Sequence, residues 1–341
     1  MDVIVIGGGI IGCSIAWRLA QRGLSVAIYE RGRLGGEATH ASAGMLAPGG
    51  EFDPASPWTR LAMDSLDMYP EFVAELAESA GIDIDYRACG AVEAAYTAEE
   101  WTALQRRAEA QAAIGIRSRR VTGADTGLLN RAIAGATFYP DDAAVDPRHI
   151  TAALRIGCQK SGVAIFEDAA VTGVRPGVEV MTAAGPVRAR AAVLAAGAWS
   201  GAFGLGAAVI PARGHLVGYY LQPGSIGPIL RHGHTYILQR SNGFAIAGAT
   251  EERIGFERGV NAGCVADIRA RAAELCPMFG GFVPDAAWSG LRPALDSGPE
   301  LRRADGADIW LAYGHYRNGI LLAPVSAKIV SAGIAAALKA S

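Results

Sequence analysis

Cysteine is scarce in this chain, and its five copies (Cys13, Cys89, Cys158, Cys264 and Cys276) are odd in number and scattered. No close pair is available for a zinc site or a disulfide framework, so reduced thiols and a cytoplasmic setting are expected. The six histidines show no metal-ligand spacing either, and no serine stands in the glycine elbow of a Ser-His-Asp hydrolase. Positive charge is equally thin: 31 basic residues form no long run and the formal net charge is -2, which removes the electrostatic footprint of a nucleic-acid partner. A charged leader with a cleavable apolar stretch is absent from the start of the chain, which opens on an apolar strand. One segment, 319–338, has the length and apolarity of a membrane span, but Pro324 and Lys328 inside it favour a core helix.

What is abundant is apolar residue and glycine. With 341 residues and 51% hydrophobic content the chain can bury two cores, so two lobes are expected. Val3–Ile6 runs into Gly7-Gly8-Gly9-Ile10-Ile11-Gly12, and Glu30 stands at the end of a second apolar strand, Ser25–Tyr29. This is a dinucleotide clamp. Gly7 permits the tight turn, Gly9 lets backbone approach a pyrophosphate, and Gly12 lets the helix pack on the strand. The helix N-terminus with Ile10 and Ile11 receives the phosphates, and the Glu30 carboxylate can accept ribose hydroxyls. Cys13 is expected to pack inside the first helix.

Pattern changes divide the rest of the chain. Helices are expected over Pro57–Ala80, from Thr97 to about Ile114, from Asp146-Pro147 to about Ser161, and over Val325–Leu338. Strands are expected at 91–96, Val163–Phe166, Ala191–Ala196, Leu216–Tyr220, Thr235–Leu238, Phe244–Gly248 and Ile309–Tyr313. The texture gives a Rossmann-like lobe of residues 1–85, 140–212 and 285–341, and a smaller antiparallel-sheet lobe of residues 86–139 and 213–284. The class is α/β in the first lobe and α+β overall.

Further segments line up with a known family. Ala38-Thr39-His40-Ala41-Ser42-Ala43-Gly44-Met45-Leu46-Ala47-Pro48, Gly197-Ala198-Trp199-Ser200, Gly290-Leu291-Arg292-Pro293 and Gly314-His315-Tyr316-Arg317-Asn318-Gly319-Ile320-Leu321-Leu322-Ala323-Pro324 occur in order with the clamp. Together they resemble the FAD-dependent amine and amino-acid oxidases of the D-amino-acid oxidase and sarcosine oxidase type, over nearly the whole chain and nearest to the members that oxidise glycine. The resemblance implies a D-amino-acid oxidase-like fold with non-covalent FAD. The cysteine that sarcosine oxidases use for covalent attachment has no counterpart in Pro293-Ala294-Leu295-Asp296-Ser297. It also implies cofactor contacts from Gly7, Gly9, Ile10, Ile11, Gly12, Glu30, Arg31, Ala38, Thr39, Ala43, Gly44, Met45, Val171, Gly197, His315, Tyr316, Arg317, Asn318, Gly319, Ile320 and Leu321. Substrate contacts would come from Arg292, Arg317 and Tyr236.

Chemistry supports these roles. Small residues at 38–48 leave room for a flat ring against backbone, and a glycine-bracketed turn before a helix starting near Pro324 or Val325 would aim a helix N-terminus at the flavin pyrimidine. A carboxylate substrate needs a bidentate fork, which Arg292 can supply unless it pairs with Asp296 or Glu300. Arg317 could share the carboxylate or neutralise a buried acid, Tyr236 could donate its phenol or pack on a sheet, His234 could line the entrance, and Glu51 could face the substrate amine. Arg213-Gly214-His215 and the residues after Arg292 depart from the family pattern. With one nucleotide clamp and no second fingerprint, electrons are expected to leave to O2, yielding hydrogen peroxide and an imine that could feed thiamine thiazole synthesis. A quinone-linked D-amino-acid or sarcosine dehydrogenase and a flavin-binding protein without activity remain the competing readings. A homo-oligomer is compatible with all three.

Overall fold

The computed structural model describes residues 1–122 and 127–340, the side chain of Glu51 excepted. At its centre Val3–Ile6 pairs in parallel with Val26–Tyr29 on one side and Ala191–Leu194 on the other. Ala164–Phe166 and Ile309–Tyr313 extend the parallel sheet outward, and Glu300–Arg303 adds an antiparallel edge. These strands are apolar runs because both faces are covered. Val3, Val5 and Ile28 meet the helices Ile10–Gln21, Pro57–Ala80, Pro147–Lys160 and Gly319–Ala340. Ile4, Ile6 and Ala27 meet a three-stranded meander, Val171–Arg175, Glu179–Thr182 and Gly185–Arg188.

The second sheet has eight strands in the order Ala286–Ala294, Ile210–Tyr220, Phe244–Gly248, Thr235–Gln239, Ile229–His232, Ala91–Ala95, Gly135–Tyr139 and Arg119–Val121. It is mixed, since Ile229–His232 runs parallel to Ala91–Ala95 while the other pairs are antiparallel. Alternation sorts its side chains. Val217, Ile237 and Ala247 face the helix Ala262–Leu275, while Leu216, Tyr236, Leu238 and Ile246 pack with Ala43 and Ala144 toward the first lobe. Tyr236 is thereby turned to the junction between lobes. Two expected boundaries fall inside this sheet. Ile210–Tyr220 spans residue 212, and Ala286–Ala294, placed by pattern in the first lobe, pairs along nine residues with Ile210–Gly218.

Helix termini follow their side-chain signals. Ser56 caps Pro57–Ala80 by accepting from the Trp58 amide at 3.3 Å, and Gly81 ends it at φ 72°. Thr97 and Asp146 cap Ala98–Ala112 and Pro147–Lys160 in the same way.

The closing helix corrects an expectation. It spans Gly319–Ala340, so it begins before Pro324 rather than at it. Proline lacks the N–H that would serve the carbonyl four residues earlier, that of Ile320. The Tyr69 hydroxyl donates to that carbonyl at 2.5 Å. One turn away, Ser65 Oγ donates to the Leu321 carbonyl at 2.6 Å and accepts from the Val325 amide at 3.3 Å. Two side chains of a neighbouring helix thus repair the proline break, which propensity along the chain could not reveal. The helix is long and apolar enough to cross a membrane, but 61% of its most apolar window is buried within the fold, where it packs on the first helix and on Pro57–Ala80.

Candidate active site

A cleft runs between the lobes from the glycine turn to the eight-stranded sheet. At one end Gly7 has φ 105°, and a Cβ there would sit 2.4 Å from the Ala195 carbonyl oxygen, so only glycine fits. A Cβ on Gly12 would meet the Gly7 carbonyl oxygen at 2.0 Å. Gly9 is different: its nearest neighbour would be Thr39 Oγ1 at 3.5 Å, so the missing side chain leaves the cleft open. Amides in the first turn of a helix have no partner within it. Thr39 Oγ1 accepts from that of Ile10 at 3.1 Å, and Ile11, which follows it, lines the cleft. Such an end attracts an anion such as a pyrophosphate.

Glu30 closes the second strand and is buried. Its two oxygens accept from the amides of Gly8 at 2.7 Å and Gly32 at 2.9 Å. A carboxylate has about four acceptor sites, so two remain for hydroxyls in the cleft. Beside it Arg31 holds its Cζ over Trp199, 3.3 Å from the ring centroid, and pairs with Glu37 at 2.5 Å. Arg258 reaches the same Glu37 at 2.8 Å, and Phe256 stacks on Trp199 with centroids 5.4 Å apart. The strand-end signature therefore holds one end of the cleft through an aromatic and two arginines, one of them from the opposite lobe.

Further along, residues 38–48 are more ordered than an open loop: a short helix Ala38–Ala41 leads to Met45-Leu46, which pairs with Ala143-Ala144. Gly44 has φ 89°, and a Cβ there would strike the Val145 carbonyl oxygen at 1.9 Å. Gly197 and the segment His315–Ile320 also line the cleft. His315 is buried with Nε2 2.9 Å from Ser326 Oγ, and burial pushes its pKa down to about 3, so the ring is neutral. Gly319 and Ile320 open the closing helix directly on the cleft.

Arg292 projects from Ala286–Ala294 over Gly214 of the paired strand. It bonds neither Asp296 nor Glu300, which pair with Arg253 and Arg302. Its Nη1 donates to the Thr250 carbonyl at 2.9 Å. Tyr236, Met45, Leu216, Tyr316 and Arg317 line the same region. The Tyr316 hydroxyl donates to the Glu251 carboxylate. Burial raises the pKa of Tyr316, and the bond to Glu251 raises it further. Burial also pushes the Glu251 carboxyl up, but Tyr316, Arg292 and Arg253 outweigh it and hold the group below the usual carboxylate range.

Most of the site residues expected from sequence line one cleft: Gly7, Gly9, Ile10, Ile11, Glu30, Arg31, Ala38, Thr39, Ala43, Gly44, Met45, Val171, Gly197, Tyr236, Arg292 and His315–Ile320. Two lie behind its wall. Gly12 serves helix packing, and the Leu321 side chain is buried in the core beneath the helix. His234 is exposed outside the lining, and the Glu51 side chain lies outside the described set. Residues that sequence reasoning missed are Gly214, Glu37, Trp199 as a stacking platform, and Glu251. Trp199 stands in the Gly197–Ser200 signature and Gly214 in the Arg213–His215 segment, but neither motif shows the stacking or the space for Arg292, because those partners come from strands and loops remote in sequence.

His215, Glu252 and Cys264 bring three potential ligand atoms within 4.8 Å of one another. His215 Nε2 accepts from the Asn261 amide at 3.1 Å, which places the proton on Nδ1, the atom facing Thr250 and Glu252. Arg213 occupies both Glu252 oxygens, at 3.0 and 3.2 Å. The cluster is a hydrogen-bonded knot, and its donors are already committed.

The model of the DAO family, FAD dependent oxidoreductases, matches residues 2–332. A glycine oxidase from Geobacillus kaustophilus is 34% identical over 345 residues, covering 97% of this chain and 92% of its own length. The crystal structure of glycine oxidase from that organism superposes with a TM-score of 0.95 at 33% identity, covering 98% of this chain and 94% of the other. A bifunctional ThiO/ThiG protein from Synechocystis is 32% identical, but this chain spans only 51% of it.

Proposed function

The chain belongs to the DAO family of FAD-dependent oxidoreductases, and from that premise we propose that it oxidises glycine, with sarcosine and small D-amino acids as secondary substrates. It is an FAD-dependent amino-acid oxidase of glycine oxidase-like type. The residues present suit that cofactor. The open face of Gly9, the helix start at Ile10-Ile11 and the doubly anchored Glu30 suit pyrophosphate and ribose, and the small residues 41–44, which share the cleft with Gly319-Ile320, suit a flat ring. Bound FAD would act as the two-electron acceptor, and O2 is proposed as the final oxidant, giving hydrogen peroxide and an imine. Non-covalent binding is proposed because no cysteine lines the cleft among the described residues.

One observation carries the substrate class: Arg292 is held over Gly214 inside the cleft by a carbonyl rather than by an acid. Its guanidinium keeps N–H groups for a ligand carboxylate, which it can grip in two parallel bonds. Tyr236 and Met45 stand in the same wall and would bound the space left for an α-carbon. A neutral His315 adds no positive charge beside a substrate amine that must lose its proton before oxidation. Supply of an imine to thiamine thiazole synthesis in the cytoplasm is proposed as the setting, with the half-length match to the fused ThiO/ThiG relative as support.

Anaerobic mixing with glycine, sarcosine, D-alanine, D-proline and glycolate tests this reading through bleaching of the flavin. Glycine should bleach fastest, and admission of air should restore the colour within the turnover time. Slow recovery in air with rapid recovery by a quinone would make the protein a dehydrogenase, and no bleaching by any amine would leave only a flavin-binding protein.

A further inference from the structure

We propose that Glu251 is a specificity-determining residue, a fixed negative charge beside the cleft that admits amines with one carboxylate and turns away those with two. This rests on the amino-acid oxidase reading of the cleft.

The chain itself carries Glu251 to the arginine, since the preceding residue, Thr250, supplies the carbonyl that holds Arg292 Nη1. The carboxylate is then fixed on two sides. Tyr316, a lining residue, donates its hydroxyl to one oxygen, and Arg253 Nε stands 3.6 Å from the other. Arg253 is shared with Asp296 at 3.3 Å, so it does not cancel Glu251 alone. With 34% of its side chain exposed, Glu251 keeps its charge beside Tyr316, which lines the cleft.

This acid offsets part of the positive charge beside Arg292. Without it, Arg292 and Arg317, which line the cleft, and Arg253, which pairs with Glu251, would carry one more uncompensated positive charge and so favour dicarboxylates more strongly. With it, a first ligand carboxylate on Arg292 satisfies the arginine, and a second one meets Glu251. At a partly exposed site, an effective dielectric near 20 makes one such charge contact worth about tenfold or more in affinity.

Glycolate and diglycolate are inert oxygen analogues of a mono- and a dicarboxylate amine, and their binding to the FAD-loaded protein can be read from perturbation of the flavin absorbance. Diglycolate should bind the wild type at least about tenfold more weakly than glycolate. Glu251→Gln should reduce that ratio about tenfold, whereas Tyr316→Phe, which removes the hydrogen bond and leaves the charge, should keep it within about threefold. Raising salt from about 20 mM to about 500 mM should shrink the wild-type ratio, and this arm needs no variant to fold. Equal binding of both ligands by the wild type, an unchanged ratio in Glu251→Gln, a Tyr316→Phe effect as large as that of Glu251→Gln, or a salt-independent ratio would each overturn the proposal. Failure of glycine to bleach the flavin would instead count against the oxidase reading, and the two inert ligands report independently of it.

Discussion

A Cβ on Gly214 would lie 2.1 Å from Nη1 of Arg292 and 2.3 Å from its Cζ, so the guanidinium occupies the space that any other residue at 214 would need. Gly214 and Arg292 sit on paired strands, Gly214 directly opposite Gly290, with Arg292 two residues further along. The fork is therefore placed by an absence. Gly214→Ala should push it off the cleft and raise KM for glycine about tenfold or more, because small displacements of a positioning group are costly. Flavin content should stay at the wild-type level, and an unchanged KM would show that Arg292 is free to shift without loss.

Arg292→Ala should cost ~2 to 5 kcal/mol of productive substrate binding, since the carboxylate would be desolvated without a partner. Arg292→Lys should recover only part, because a point charge cannot make two parallel bonds. Steady-state kcat/KM for both variants, set against their flavin content, measures this. Wild-type efficiency in Arg292→Ala would move the carboxylate to Arg317.

Glu30 holds the amides of Gly8 and Gly32 from a buried position. Glu30→Ala should weaken FAD retention by ~1 to 3 kcal/mol and also lower the stability of the flavin-free protein, because two amides lose their acceptor. Dialysis against salt and thermal unfolding separate the two effects. A loss of FAD affinity with no change in apoprotein melting would show that water replaces the carboxylate.

Tyr69→Phe removes the donor that serves the Ile320 carbonyl, and Ser65→Ala removes the bridge between Val325 and Leu321. Each should destabilise the fold by about 1 to 3 kcal/mol. Since Ile320 lines the cleft, flavin absorbance should shift as well. Denaturant midpoints equal to the wild type would show that the proline break relaxes without help.

His315 gives a pH dependence of known sign. Burial depresses its folded pKa from 6.5 to about 3, so below the unfolded value the unfolded chain binds a proton that the native state refuses. Stability is unaffected by this group above about pH 6.5 and falls as pH drops toward 3, by up to about 1.4 kcal/mol per pH unit. His315→Asn should flatten urea stability between about pH 6 and 4.5. A wild-type slope retained in that variant would assign the acid sensitivity to other groups.

Much of the architecture was legible because it is written locally. Val3–Ile6 and Ala191–Leu194 are continuous apolar runs, Ser56, Thr97 and Asp146 stand where helices begin, and Gly7 and Gly12 stand where Cβ atoms would strike backbone. The start of the closing helix was not legible, because a proline five residues in is tolerated only where a second helix supplies Tyr69 and Ser65.

By itself the sequence determined the clamp, the starts of the capped helices and the residue types at the cleft, since turn sterics, strand periodicity and helix capping act over a few residues. Tertiary structure alone decided what stands beside Arg292. Gly214, Thr250 and Glu251 reach it through antiparallel pairing and a returning loop, and Trp199 meets Arg31 from its own lobe and Phe256 and Arg258 from the other. Charge and packing of this kind depend on distances in space, which residues tens of positions apart acquire only after the sheets have formed.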